Sequence, residues 1–257
     1  MKHSESWQAI YDAYNMKEHN FDETPFMLSA TDIKKVTAQF IDAKISDKEV
    51  RVLCKQDSRD DRPQVFIENN LFILPTRNGK YAIIKGEGYI DIPEIRTATK
   101  IYTSKLDFHL DTSKIGDSEM QHLDFAYASS LIRTFMEDDS LVLTIRGRKY
   151  TPQFSFYVGK HYLETESVQT EVDAGYEGRN QVVLIEAKNS KTFNTIIRQL
   201  YFPFRQWQEH TKKQVKTLFF EKRGNLYSLW QYEFSDTNDY NSIVLTKSQQ
   251  YEIITNT

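Results

Sequence analysis

Apolar positions recur along this chain at two spacings, about three and a half residues and two, and the spacing assigns the elements. Residues 7–20 predict a short helix. Ala30-Thr31-Asp32 opens a second, with Ile33, Val36 and Phe40 on one face. Short apolar runs at 50–55, 64–67 and 71–75 predict strands. Asn78-Gly79 predicts a tight turn into a return strand over 81–85, and Pro93 closes that block. After a polar stretch over 111–117, Leu123, Ala126, Tyr127, Leu131 and Phe135 form one stripe of a helix spanning 118–136. Strands are predicted at 141–145, 153–158 and 166–173. A turn over 175–180, with Gly175 and Gly178, leads to a strand over 181–188. Asn189-Ser190 is a good helix cap, and the helix predicted after it runs to about residue 210. It would bury Phe193, Ile196, Ile197, Leu200, Phe204 and Trp207 and kink at Pro203. Runs at 215–221 and 226–234 around Gly224-Asn225 predict a last hairpin.

These elements predict an α+β (mixed α/β) fold with a central mixed sheet flanked by helices. A β-rich N-terminal region over 1–112 would precede a second region over 113–257.

The strand over 182–188 carries the chemistry. Alternate residues of a strand face opposite sides, so Val183, Ile185 and Ala187 share one face while Val182, Leu184, Glu186 and Lys188 share the other. A carboxylate and an ammonium at the end of an apolar strand are costly to bury. Asp173, at the end of the preceding strand, can reach Glu186 across a connection of this length. Two carboxylates and one ammonium suit a hard cation such as Mg²⁺. Such an ion polarises a phosphodiester and makes water more acidic, and Lys188 would position that water and stabilise charge at phosphorus. The plain alternative is a surface hairpin with a Glu–Lys neighbour pair.

Composition narrows the field. The chain has 257 residues, 39% hydrophobic and 27% charged, as folded globular proteins do. Its formal net charge of −3 gives no global attraction to nucleic acid, so local charge must supply it. The one cysteine, Cys54, reads as a small core residue; it excludes an internal disulfide and favours a reducing cytoplasmic setting. Residues 1–14 have no signal-peptide core and no apolar run is long enough to span a membrane, so no membrane association is expected. The six histidines make no short-spaced ligand pair, which disfavours zinc. Gly86-Glu87-Gly88 lacks the third glycine of a dinucleotide loop, and no phosphate-cradling Gly-Lys-Ser/Thr loop occurs.

Taken together, Glu171-Val172-Asp173, the strand ending Ile185-Glu186-Ala187-Lys188, and Arg198-Gln199-Leu200-Tyr201-Phe202-Pro203 resemble the PD-(D/E)xK nuclease superfamily, and within it the type II restriction endonucleases. Val172 stands where the family often has proline. The match covers about residues 166–207; Arg62-Pro63, the run at 71–75 and Asn78-Gly79-Lys80-Tyr81 loosely resemble the front half of some restriction enzymes. The resemblance implies that Asp173 and Glu186 hold Mg²⁺, that Lys188 serves the nucleophilic water and that Gln199 supports the site. It also implies products with a 5′-phosphate and a 3′-hydroxyl. Many relatives place an acid on the helix entering the sheet, which makes Glu119 a candidate ligand, although a first-turn glutamate also suits the helix dipole. Glu171 is a further ligand or only a neighbour.

Basic residues flank the acidic set. The stretch 141–163 holds Arg146, Arg148, Lys149 and Lys160 and no acid; 191–216 holds Lys191, Arg198, Arg205, Lys212, Lys213 and Lys216 against Glu209. Such stretches suit a phosphate-binding wall, and equally a solvated face. In Arg146-Gly147-Arg148, glycine would let the backbone approach a phosphate. The loop over 55–62, with Arg59 and Arg62, suits base edges or is a plain polar connection; Arg77, Asn78 and Lys80 sit at a hairpin tip. The expected partner is double-stranded DNA, cut at a specific sequence by a homodimer sharing the site's two-fold axis, with a heterodimer containing a second cutting subunit as the variant. A structure-specific repair or recombination nuclease and a non-cutting DNA-binding module are the alternatives.

Overall fold

The computed structural model describes residues 4–40 and 48–255. Phe40, expected at the end of the second helix, lies just past it.

The N-terminal part is built from α1 (Ser4–Ala13), β1 (Phe26–Ser29), α2 (Ala30–Thr37), α3 (Val50–Leu53), α4 (Gln64–Glu68), β2 (Leu71–Arg77) and β3 (Lys80–Lys85). Ser29 caps α2 through a reciprocal pair of bonds with Asp32. The strands form an antiparallel sheet ordered β1-β3-β2, and the Asn78-Gly79 turn falls where its sequence places it. Trp7, Ile10, Phe66 and Leu71 pack its core against Ile83. Two expected strands are corrected here. The runs at 50–55 and 64–67 are the one-turn helices α3 and α4, since four or five apolar-rich residues carry no period that separates a buried turn from a strand.

The chain continues through β4 (Tyr89–Asp91), β5 (Lys100–Thr103), α5 (Glu119–Ala128), α6 (Leu131–Met136), β6 (Val142–Tyr150), β7 (Phe154–Val158), β8 (His161–Thr165), β9 (Gln169–Glu177) and β10 (Gln181–Lys188). It ends with β11 (Asn194–Ile196), α7 (Arg198–Gln208), β12 (Gln214–Arg223), β13 (Leu226–Phe234) and β14 (Ile243–Ile254). Seven of these strands make the central sheet, ordered β5-β14-β13-β12-β10-β9-β6. It is mixed: β10 runs parallel to β12, and β14 to β5. The fold is thus mixed α/β, a central multi-stranded sheet flanked by helices.

Each face of the sheet has its own core. Leu123, Ala126, Leu131 and Phe135 of α5 and α6 cover Val183, Ile185 and Ala187 of β10. Leu200, Tyr201 and Phe204 of α7 cover Val182 and Leu184 from the other side. The strand expected at 181–188 is therefore buried on both faces, as a strand between a parallel neighbour and two helical layers must be. The helix expected over 118–136 is instead two, broken where Ser130 takes a positive φ of 65°. The helix expected from 190 starts only at Arg198; β11 precedes it, and Phe193, expected in its buried face, is 65% exposed. Residues on the N-terminal side of the expected division at 112 contribute β5 to the central sheet and β4 as the partner of β11.

Candidate active site

Asp173, Glu186 and Lys188 meet at one end of the β9–β10 pair. The antiparallel register ends with Ile185 opposite Ala174, and the next residues along the two strands are Glu186 and Asp173. A bulge then aims the aspartate. Against β6, Ile145 pairs with Gly175 but Gly147 pairs with Val172, so two steps of β6 span three of β9. As a result Val172 packs into the α7-side core and Ala174 into the opposite one, which residues two apart in a regular strand cannot do. Asp173 sits at this irregularity, within β9 rather than at its end. Its Oδ2 accepts the Ala187 N–H at 2.8 Å, so a side chain replaces a carbonyl of the ladder and locks the carboxylate beside Glu186.

Glu186 is only 8% exposed, and Lys188 Nζ donates to its Oε1. Burial pushes the Glu186 carboxyl up to about 7 against the pull of Lys188. Asp173 is also raised, by burial first, with Glu119 and Glu171 adding to the effect while the Ala187 N–H and Lys188 oppose it. Burial works against the Lys188 ammonium, yet its pKa stands above the usual value because Glu186, Glu119 and Asp173 surround it. Two carboxylates and a firmly charged ammonium therefore share a desolvated corner.

Asp173 Oδ1 and Glu186 Oε2 take no hydrogen bond from the described residues, which leaves one hard oxygen on each for a cation. Among the described residues no three His, Cys, Asp or Glu side chains are grouped closely enough to hold a metal by themselves. This donor set fits Mg²⁺, which commonly takes one or two carboxylates and completes its shell with water and phosphate oxygens.

The corner opens into a cleft of 1120 Å³ between the central sheet and the N-terminal part. Glu119, in the first turn of α5, lines it, so the helix-end position expected for it and a place near the site coincide. Gln199 also lines the cleft; its Oε1 accepts from Thr195 Oγ1 at 2.6 Å, which fixes it at the start of α7. Glu171 lines it too and pairs with Arg148 at 3.3 Å. Cys54 is half-buried with its thiol pushed up to about 12 by burial, in keeping with a packing role.

The basic residues expected to face a phosphate backbone divide. Arg148, Arg198 and Arg77 line the cleft, the last pairing with Glu166 at 3.0 Å. Lys80 and Lys149 are exposed, and Lys191 lies 4.7 Å over the ring of Phe193. The others are engaged by neighbouring protein groups. Arg205 is 5% exposed, donates to Ser155 O, Thr237 O and Tyr201 Oη, and stacks on Phe154. Its place on the expected binding wall is corrected, since a side chain enclosed by carbonyls and rings has no path to a phosphate. Arg146 pairs with Asp124 of α5. Arg59 is held by Asp91 and Glu87, and Arg62 donates to Arg59 O and Leu71 O over the ring of Tyr89.

Two residues not singled out in the sequence matter to the site. Glu221 is 3% exposed and stands next to Lys188 in the β10–β12 register. It accepts the Thr192 N–H at 2.8 Å and Arg223 Nε at 2.6 Å, so it anchors the loop leaving Lys188. The reasoning that marks Glu186, a charge closing an apolar strand, marks Glu221 as well. Asp57 reaches the cleft from the N-terminal part, within a polar loop whose sequence looks unremarkable.

The fold and site define a mixed α/β protein with a charged, partly buried carboxylate–lysine corner at the floor of a cleft. A family model described as a domain of unknown function, DUF6997, matches residues 84–252, and the chain belongs to that family. A second, described as DUF6996, a domain of unknown function, matches residues 4–83. No curated protein and no solved structure matches the chain. Among the described residues no helix is long and apolar enough to cross a membrane.

Proposed function

We propose that this chain is a Mg²⁺-dependent endonuclease acting on double-stranded DNA, built on a PD-(D/E)xK-type core in the manner of a type II restriction enzyme. The observation that carries the reading is the convergence of Asp173, Glu186 and Lys188 at the floor of an open cleft. Asp173 and Glu186 would hold the cation through their free oxygens. When bound, Mg²⁺ would polarise the scissile phosphate and acidify water beside it. Lys188, kept charged by its acidic neighbours, would orient the attacking water and stabilise the charge that develops at phosphorus. Gln199 would steady the strand from the α7 side, while Arg148, Arg198 and Arg77 would take backbone phosphates.

The test is digestion of a defined plasmid with Mg²⁺ and with EDTA. Discrete fragments with Mg²⁺ alone are expected. Lys188→Ala should lower the rate by at least about 10²–10³-fold, the range for removing one preorganised charge stabiliser, while leaving DNA binding in place. A smear would favour a structure-directed or non-specific nuclease. Retarded but uncut DNA would reduce the chain to a binding module, and wild-type cutting by Lys188→Ala would remove that residue from the mechanism.

A further inference from the structure

Three further charged side chains, Lys55, Asp57 and Arg198, line the cleft outside the carboxylate–lysine corner. Asp57 Oδ2 lies 3.4 Å from Lys55 Nζ, and its Oδ1 lies 4.0 Å from an Arg198 guanidinium nitrogen. All three line the same cleft as Asp173 and Glu186. The Arg198 contact is longer than a hydrogen bond, and the guanidinium makes none with the described residues although it is only 23% exposed. An arginine carries five donors, and on the same helix Arg205 turns one guanidinium nitrogen to Ser155 O, Tyr201 Oη and Thr237 O. Arg198 is thus half-buried, borders the cleft and bonds to no acceptor among the described residues.

We propose that Lys55 and Arg198 form a seat for one phosphate of the substrate strand, and that in the free protein the Asp57 carboxylate occupies it as an internal counter-ion. A carboxylate offers two oxygens to two cations, as a phosphate does, but this one is held too far back to satisfy Arg198. A phosphate entering from the cleft would give the guanidinium the paired oxygens its fork geometry suits. The seat rests on the nuclease reading only for the identity of its anion. It would join the N-terminal wall to α7 on either side of one phosphate, a few residues from the chemistry.

The loop carrying Asp57 does not depend on the carboxylate for its position. Asp57 O accepts the Ile196 N–H at 2.8 Å, and the Arg59 N–H donates to Asn194 Oδ1 at 2.7 Å. Asp57→Asn therefore removes the charge and leaves the loop fastened.

The sign of the effect separates this proposal from a merely structural role. If Asp57 only braced the cleft, its loss would weaken binding. If it competes with phosphate, its loss strengthens binding. The experiment is equilibrium binding of a labelled oligonucleotide duplex by the full-length chain in EDTA, where cutting cannot contribute, between 50 and 200 mM salt. Asp57→Asn should bind about 3–10-fold tighter at the low-salt end, with the slope of log affinity against log salt steeper by about one. Arg198→Ala should bind more weakly and lower the slope by about one. In Asp57→Asn/Arg198→Ala the gain should vanish.

Equal or weaker binding by Asp57→Asn in a protein with the wild-type circular dichroism spectrum overturns the proposal. So does a gain that persists without Arg198, or no binding by the wild-type chain at 50 mM salt. Absence of Mg²⁺-dependent cutting alongside the expected binding changes would overturn the nuclease reading and leave the seat standing.

Discussion

At the scale of single residues, the site keeps charge where water is scarce. Burial raises the carboxyls of Asp173 and Glu186, so the folded chain holds protons there more tightly than the unfolded chain does. Stability is therefore lost as pH climbs past their ordinary values of 3.8 and 4.5, in the case of Glu186 toward about 7. Asp173→Asn keeps an oxygen that can accept the Ala187 N–H but sheds the charge. It should raise stability at pH 8 by about 1–2 kcal/mol, in the range common where a functional site is relieved. That would read as about 2–4 °C of Tm for each kcal/mol. The advantage should fade near pH 4, and DNA cutting should be lost. A Tm at pH 8 below that of the wild type would mean that the carboxylate is a net structural asset. On the proposed reading Mg²⁺ would compete with protons for the same oxygens. Its affinity should climb by up to about tenfold per pH unit below about 7, the value to which Glu186 is raised, and level off above it. Calorimetric titration in buffers of different ionisation enthalpy would also read the released protons; an affinity flat from pH 5.5 to 8 would disconnect the cation from these carboxylates.

At the scale of elements, the bulge in β9 determines where Asp173 points, and Gly175 is what lets β6 lie close enough to form it. A Cβ on Gly175 would stand 2.6 Å from Cβ of Ile145 and 3.1 Å from its Cδ1 and Cγ2. The nearest atom is a Cβ, which no rotamer can move, so the strands themselves must part. Gly175→Ala should cost about 1–3 kcal/mol, the usual range for overpacking. Ile145→Val should not rescue it, because valine keeps the same Cβ. Urea melts check the cost, and an unchanged midpoint would show that β6 yields freely. This bulge was not legible in the sequence, since it depends on pairing with a strand some thirty residues earlier. Where local chemistry decides the outcome, the reading held. The Asn78-Gly79 and Gly224-Asn225 turns fall in hairpins, and the strand over 181–188 matches β10 end to end. The meeting of Asp173, Glu186 and Lys188 was legible as well, from the Glu–Lys end of an apolar strand and the short connection before it. Short apolar runs such as 50–55 and 64–67 misled, as their state is chosen by packing on Trp7 and Leu71 rather than by period. Arg205 misled for a related reason: a basic residue in a basic stretch looks solvent-facing until tertiary carbonyls enclose it.

At the scale of the whole molecule, the two family matches meet between residues 83 and 84, yet the contacts run across that line. Tyr89 Oη donates to Gln56 O at 3.2 Å and Thr165 Oγ1 to Thr76 O at 3.1 Å, binding β4 and β8 to the N-terminal part. Further back, Asp57 O and Asn194 Oδ1 join the loop before α4 to β11 and its approach, and the Glu166 N–H donates to Thr76 O at 3.0 Å, joining β2 to the end of β8. The cleft is walled by both matched regions, so its width is set by how firmly they are joined. Contacts of this number favour a single cooperative transition over two. The three tryptophans allow a direct check. Trp7 is fully buried in the N-terminal core, whereas Trp207 and Trp230 pack with the central sheet. In Trp7→Phe, fluorescence reports the sheet alone while far-ultraviolet circular dichroism reports all elements, so the two should trace one urea transition with a common midpoint. Asn194→Ala removes the acceptor of the Arg59 N–H and should lower that midpoint for both signals together. Two separated midpoints, or a fluorescence transition blind to Asn194→Ala, would mean that the matched regions fold independently and that the cleft between them is free to open.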